Sequence, residues 1–249
     1  MKKLLVVITL VTIWGTTNFG QCIYAFYYSR SPGQSLKLNL INLASEVVQC
    51  QVRAYDAWGN RIWEARGTLK PKDSAYYSLG KVIKEADGNW GVMTVISTGR
   101  LLINVEYFIA GNLASVDTIA QELPFVEEGG IFQLGLYHLE VPEAKFFTGL
   151  IVMNPWNVTV KGRLVLYDNE GKPLFQGKFE LNPYESAFYN LIELVENAKA
   201  WGLAEILVEP VPIVIAGKYL YADTQRIENV VTNWRVPLDS EEQPVPKKD

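Results

Sequence analysis

The residues able to do chemistry are few and scattered. His138 is the only histidine among 249 residues, so a Ser-His-Asp or Cys-His arrangement could draw on one imidazole alone. It sits in "LGLYHLE", a segment that alternates like a strand, and aligns with Phe26 in the internal match set out below. No nucleophile or carboxylate motif accompanies it, which favours a packed or surface imidazole. Two cysteines and one histidine, far apart in sequence, do not make a zinc site. The glycines form neither G-x-G-x-x-G nor a Walker pattern, and no D-x-D-x-D calcium loop occurs. No catalytic residue, cofactor site or metal site is read from the chain.

Four other residues carry a chemical question. Cys22 and Cys50 are an even pair; in an exported protein they read either as a disulfide or as two buried thiols acting as small apolar residues. Trp58 and Trp156 fall at turns, "DAWG" and "NPWN". Exposed tryptophans there could stack on sugars or anchor a protein partner, unless each folds back over its own turn. Asp56 and Asp168 recur at equivalent places and could suggest paired acids. Each, however, opens a turn that a glycine closes (Asp56–Gly59, Asp168–Gly171), and that is ordinary turn chemistry.

The elements that hold these residues come from reading the chain against itself. An offset of 112 aligns residues 42–79 with 154–191 without a gap, and eleven of the thirty-eight pairs are identical. Chance would give about two. "LKPKDSAYYSL" (Leu69–Leu79) returns as "LNPYESAFYNL" (Leu181–Leu191). With small shifts Trp90-Gly91 meets Trp201-Gly202, and Leu123-Pro124-Phe125 meets Val236-Pro237-Leu238. In front, Gln21-Cys22 meets Gln133-Leu134. The units therefore run over 19–127 and 128–240, joined at Glu127–Gly130, and residues 241–249 read as a disordered polar tail.

Within each unit the segments are short and of period two. In Val47–Tyr55, Val48, Cys50, Val52 and Ala54 share one face, while Gln49, Gln51 and Arg53 share the other. The next strand alternates Trp63, Ala65, Gly67 and Leu69 against Glu64, Arg66 and Thr68. Proline at 71 and 183 stops pairing and turns the chain; Ala75, Tyr77 and Leu79 then point inward, as do Ala187, Tyr189 and Leu191. Helical turns are expected at Lys81–Asp87 and Glu193–Ala200, and strands at Gly91–Ser97, Leu101–Ile109 and Ile119–Val126. Trp90 and Trp201 are read as core. The fold class is all-β: two tandem antiparallel β-sandwich domains of immunoglobulin-like size.

Bulk composition sets the class of function. The chain is 49% hydrophobic and 20% charged, with a formal net charge of −4. That is a globular balance, and it offers nucleic acid no basic surface. The start, "MKKLLVVITLVTIWGTTNFGQ", places two lysines before an apolar run and then small and polar residues. That is the order of a secretory signal, read over residues 1–18, and it makes the mature chain periplasmic or secreted and not integral to the membrane.

The segment Pro212–Val231, "PIVIAGKYLYADTQRIENVV", resembles the end of small bacterial β-sandwich domains of the sensory-rhodopsin-transducer type, in which a Pro-Ile-Val-Val strand precedes an Asp and an Asn-containing polar segment. Asn154, the run ending Leu164-Val165-Leu166-Tyr167-Asp168 and the Gly171 turn fit the same pattern. The resemblance implies the sandwich and brings no partner or ligand with it. Taken together, the residues point to a non-catalytic exported structural or protein-interaction module that meets a protein or cell-envelope component. Carbohydrate binding through exposed aromatics is the alternative, and an acidic-residue hydrolase of the glycosidase kind the third reading.

Overall fold

The computed structural model describes residues 22–86, 89–119, 123, 130–138, 146–195, 201–210, 213–221, 227–230 and 234–236. The segments read as signal peptide and tail lie outside the described residues, as does most of the Glu127–Gly130 joint.

The chain is all-β and antiparallel. The first half contains β1 (Cys22–Ser29), β2 (Gln34–Asn42), β3 (Val48–Asp56), β4 (Arg61–Leu69), β5 (Ser74–Ser78), the single turn α1 (Leu79–Val82), β6 (Trp90–Ser97), β7 (Leu101–Ile109) and β8 (Asn112–Ile119). The second contains β9 (Gly130–His138), β10 (Phe146–Met153), β11 (Val160–Asp168), β12 (Pro173–Leu181), β13 (Ser186–Asn190), α2 (Leu191–Leu194), β14 (Trp201–Glu209), β15 (Val214–Tyr221), β16 (Ile227–Val230) and β17 (Trp234–Val236). The sheets of the first half run β1-β6-β3-β4 and β5-β2-β7-β8; those of the second run β12-β11-β14-β9-β17 and β13-β10-β15-β16. The order is the same except for β17, which the second half adds beside β9. The β3–β4 register runs from Val48 opposite Leu69 to an irregularity between Ala54 and Tyr55, and β11–β12 matches it at an offset of 112.

An immunoglobulin sandwich pairs A with B and F with G. Here β2–β5 and β3–β6 keep the corresponding central pairings, but β1 lies beside β6 and β7 beside β2. The terminal strands have exchanged sheets relative to that fold.

Period-two patterning accounts for the interior. Leu36, Leu38 and Leu40 of β2, Val48, Val52 and Ala54 of β3, Met93 and Val95 of β6, and Leu101, Ile103 and Val105 of β7 are all buried. Tyr24 ties the two layers together: its hydroxyl accepts the Leu101 N–H at 2.9 Å. β1 is buried on both faces, because its cluster also takes in Ile151, Met153, Val214 and Ala216 of the second half. A separate cluster of second-half residues, including Leu164, Leu166, Ile206 and Leu191, fills the other sandwich.

Several expectations need correction. A strand that was not expected, β8, begins at Asn112, because Ala110 (φ 49°) and Gly111 (φ 82°) form a tight hairpin turn directly after β7; two left-handed residues match the strand twist, and most of the strand expected at Ile119–Val126 lies outside the described residues. The helical turns start at Leu79 and Leu191, ahead of the segments assigned to them. The alignment of the front strands is also displaced. Gly130, not Leu134, takes the place opposite Val208 that Cys22 takes opposite Ser97. His138 faces Trp201 as Ser29 faces Trp90, so it does not stand where Phe26 stands. The physical cause is length. Seven residues (139–145) join β9 to β10 where four (30–33) join β1 to β2, and an irregularity between Gly202 and Ala204 takes up another.

Cys22 and Cys50 are buried thiols, not bonded to each other. They lie opposite Ser97 from its two sides, on β1 and β3. Two strand spacings separate them by about 10 Å, beyond the roughly 7 Å Cα limit of a disulfide. Burial pushes the Cys50 thiol pKa up, away from reactivity. Cys50 faces Gly67, whereas the second half places Gly162 opposite Phe179, and a Cβ on Gly162 would collide with that ring. The cysteine is thus the larger member of one small–large pair whose sizes are reversed in the other half.

Candidate functional site

Asp56 and Asp168 are turn residues. Asp56 Oδ1 accepts the N–H groups of Trp58 (3.0 Å) and Asn60 (2.8 Å), and Asp168 Oδ1 those of Glu170 (2.9 Å) and Lys172 (2.8 Å). Their acceptor capacity serves the backbone. A buried asparagine does similar work at each corner. Asn42 Nδ2 donates to the carbonyls of Glu46, Leu69 and Lys70, and Asn154 Nδ2 to those of Val158, Leu181 and Asn182.

The tryptophans separate. Trp58 is 66% exposed at the tip of the β3–β4 hairpin, as a contact residue should be. Trp156 is 6% exposed and is corrected from contact to packing residue. Its carbonyl accepts the Tyr184 N–H at 3.1 Å within the second half, and Trp156 and Tyr184 together close a cleft against Ile23, Arg53, Thr94 and Ile96 of the first half. Trp201, read as core, is 46% exposed, while Trp90 is half-buried beside Tyr27.

That cleft is part of a junction between the halves. Tyr184 stacks on Tyr55 with centroids 4.0 Å apart and planes 3° from parallel. Ser186 N–H donates to the Ala57 carbonyl at 3.0 Å, and Trp58 makes an antiparallel bridge with Glu185.

On the same sheet face lies an open surface hollow. It has about 540 Å³ of space and is lined by Gln49 to Gln51 of β3, Arg66 to Thr68 of β4 and Ile96 to Thr98. Ile96 also lines the 190 Å³ cleft at the junction. The face owes its chemistry to register: Arg53 stands opposite Glu64, and Gln51 opposite Arg66. Glu64 gathers four partners. Arg61 Nη1 lies 2.7 Å from Oε2 and Arg53 Nε 3.4 Å from the same oxygen; Arg66 Nε lies 3.0 Å from Oε1, to which Gln51 donates at 2.8 Å. The Gln51 hydrogen bond, then the guanidiniums, hold the Glu64 carboxyl below its ordinary range. It is a fixed anion and a poor proton donor.

Sequence reasoning placed Gln49, Gln51, Arg53, Glu64, Arg66 and Thr68 on solvent faces but did not join the two strands. The signal was only partial: the Asp56–Asn60 turn marks the hairpin, but counting back from it sets Arg53 against Trp63, and it is the irregularity between Ala54 and Tyr55 that shifts the register by one and brings Arg53 opposite Glu64.

One other titratable group stands out. Asp117 on β8 is half-buried, and burial pushes its carboxyl up to about 6 against an opposing hydrogen bond from Tyr107. It belongs to the other sheet and does not line the hollow.

No family model matches the chain, and no curated protein does. Solved structures match weakly. One assigned as a beta-galactosidase from Bacteroides fragilis is 12% identical over 86% of this chain and 32% of its own, with a TM-score of 0.18. A calcium-binding mutant of Bacteroides uniformis beta-glucuronidase 2 is 10% identical over 86% and 26%, with a TM-score of 0.16. A glycosyl hydrolase family 2 member from Bacteroides cellulosilyticus is 8% identical over 85% and 28%, with a TM-score of 0.18. The chain spans about a third or less of the length of these proteins, and a likeness at that level carries no argument about it.

Proposed function

We propose that the chain is a non-catalytic binding module of the cell envelope, exported to the periplasm or beyond, whose two sandwiches act as one rigid support for a contact face. The observation that carries this reading is the open hollow on the β1-β6-β3-β4 sheet, set beside a junction that fixes the second half against the same sheet. A site on strands is held more rigidly than a site on loops. Glu64, the carboxylate bound to Arg66 and Gln51 of the lining, is committed to cations, so the hollow is equipped for holding rather than proton transfer. Carbohydrate is the favoured envelope component among the alternatives, because the lining offers amides (Gln49, Gln51) and hydroxyls (Thr68, Thr98) suited to sugar hydroxyl groups.

The test joins location to binding. The native chain is fractionated and its mature N-terminus sequenced, and the purified protein is sedimented with envelope material. Recovery from the envelope or periplasm, with binding lost in Thr68→Trp, supports the reading. Recovery in the cytoplasm, or undiminished binding by Thr68→Trp, refutes it.

A further inference from the structure

The charges on the hollow's margin do not balance. Arg53, Arg61 and Arg66 converge on one carboxylate, Glu64. A guanidinium offers five N–H donors and a carboxylate about four lone-pair sites, so most donors of the array go unused by Glu64. Arg61 and Arg66 are 54% and 66% exposed. Arg53 is less open, at 24%, and its buried Nε pairs with Glu64 Oε2 at 3.4 Å by charge alone, without hydrogen-bond geometry. This local excess of positive charge sits on a chain whose formal net charge is −4.

Folding does not require the array. At the equivalent register positions the second half has Val165 for Arg53, Pro173 for Arg61, Gln176 for Glu64 and Lys178 for Arg66. The strands pair in the same way without it. It also directly adjoins the hollow, since Arg66 and Gln51 belong to both.

We propose that Arg53, Arg61 and Arg66 recognise the carboxylates of an acidic oligosaccharide, a sugar chain bearing uronic-acid groups, bound across β6, β3 and β4. This rests on the binding-module reading and names the ligand class of its site. Planar guanidinium forks match carboxylates bidentately. Glu64 supports the array by orienting the forks while leaving their net charge positive. An acidic peptide is the weaker fit. An added peptide strand would pair along the open edge of β4, whereas the hollow crosses three strands on the face of the sheet. There it presents amides and hydroxyls that both donate and accept, as sugar hydroxyls require.

The experiment is calorimetric titration of the full chain with oligogalacturonate, its methyl ester, a neutral oligoglucan and poly-glutamate. Binding of oligogalacturonate is expected, weakening as salt is raised. Arg61→Ala and Arg66→Ala each weaken it by about tenfold, and Arg66→Lys does not restore it. Lys178→Ala binds like the parent. The altered arginines are exposed, and an unchanged melting temperature verifies folding. Equal binding of the methyl ester, tighter binding of poly-glutamate, parental affinity in both arginine variants, or no binding of oligogalacturonate overturns the proposal. If Thr68→Trp still abolishes envelope binding while oligogalacturonate fails, the ligand class falls and the module reading stands. If Thr68→Trp leaves envelope binding intact, the module reading itself falls.

Discussion

The corners at Leu69–Leu79 and Leu181–Leu191 have one backbone and two employments. Lys72 and Tyr184 take the same left-handed conformation, at φ 63° and 62°. Asp73 N–H reaches the Lys70 carbonyl, and Glu185 N–H the Asn182 carbonyl, in the same bond pattern. Beneath each corner the buried asparagine, Asn42 or Asn154, collects the turn's carbonyls. The side chain at the strained position differs. Lys72 lies exposed and donates to the Leu43 carbonyl at 3.2 Å, whereas Tyr184 stacks on Tyr55 across the junction. Identical residues keep the shape of the corner, and the substituted one decides whether the corner meets solvent or the other half. The same division holds over the sheet behind it. Asn39 and Asn104 on the open β2/β7 face correspond in register to Ile151 and Ala216, which join the first half's core cluster.

The asparagines should give the largest effect. Asn42→Ala or Asn154→Ala strands buried carbonyls and costs about 3 kcal/mol in either half. Each amide oxygen also accepts the N–H two residues on, Asn42 Oδ1 from Ala44 at 2.8 Å and Asn154 Oδ1 from Trp156 at 3.0 Å, and the Asn154 variant is the more damaging because Trp156 stands beside the junction. Urea unfolding of both variants checks this; a loss under 1 kcal/mol at either site would show that the corner holds itself.

Next come the glycines that close the β-hairpins. Gly59 (φ 84°) and Gly171 (φ 81°) share a left-handed conformation. A Cβ on Gly171 meets nothing within 4 Å, but one on Gly59 runs into the Pro183 carbonyl oxygen of the other half. Gly171→Ala therefore costs only backbone strain, about 1 kcal/mol, and Gly59→Ala about 3 kcal/mol once collision with the main chain is added. Equal losses would mean that the junction yields without cost.

Exchanging the residues at the strained position tests the difference directly. Tyr184→Lys removes the stack and its burial, a loss of about 2 kcal/mol, and should make cleavage between the halves faster in limited proteolysis. Lys72→Tyr, on the open corner, should change stability by less than about 0.5 kcal/mol. Similar proteolysis of the parent and Tyr184→Lys would remove the stack from any role in holding the halves together.

How much of this was written locally follows from the same residues. Period two showed which side of β3 faces inward, and Asp and Gly marked both hairpin turns, because strands and turns are short-range events. The β1–β9 correspondence was hidden by unequal connections, since loop lengths leave no trace in residue type. The burial of Trp156 and the exposure of Trp201 depend on which faces meet, and nothing within a few residues of either encodes that. The arginine array lay between these cases: Arg53, Glu64 and Arg66 were placed on their faces and Arg61 was not, and the array exists only through cross-strand register.

The smallest expected effect contrasts a titratable position with its apolar counterpart. Asp117 pairs with Val105 on β7, while Val230 pairs with Gly217 at the matching place on β15. One oxygen of Asp117 is buried without a hydrogen-bond partner. Its carboxyl pKa is raised to about 6 by burial, from near 4 in an unfolded chain. The folded state therefore binds the proton more tightly. The stability this group contributes is complete below about pH 4 and is lost as pH rises through 6. Asp117→Asn, which keeps the shape without the charge, should match the parent near pH 4 and exceed it by about 1 kcal/mol at pH 7, a value reduced for partial solvent screening. Denaturation midpoints of the two proteins across this range measure the difference. A gap that is flat with pH, or that widens toward acid, would mean that water or a cation already satisfies the carboxylate, and β8 would then tolerate charge as readily as its counterpart tolerates valine.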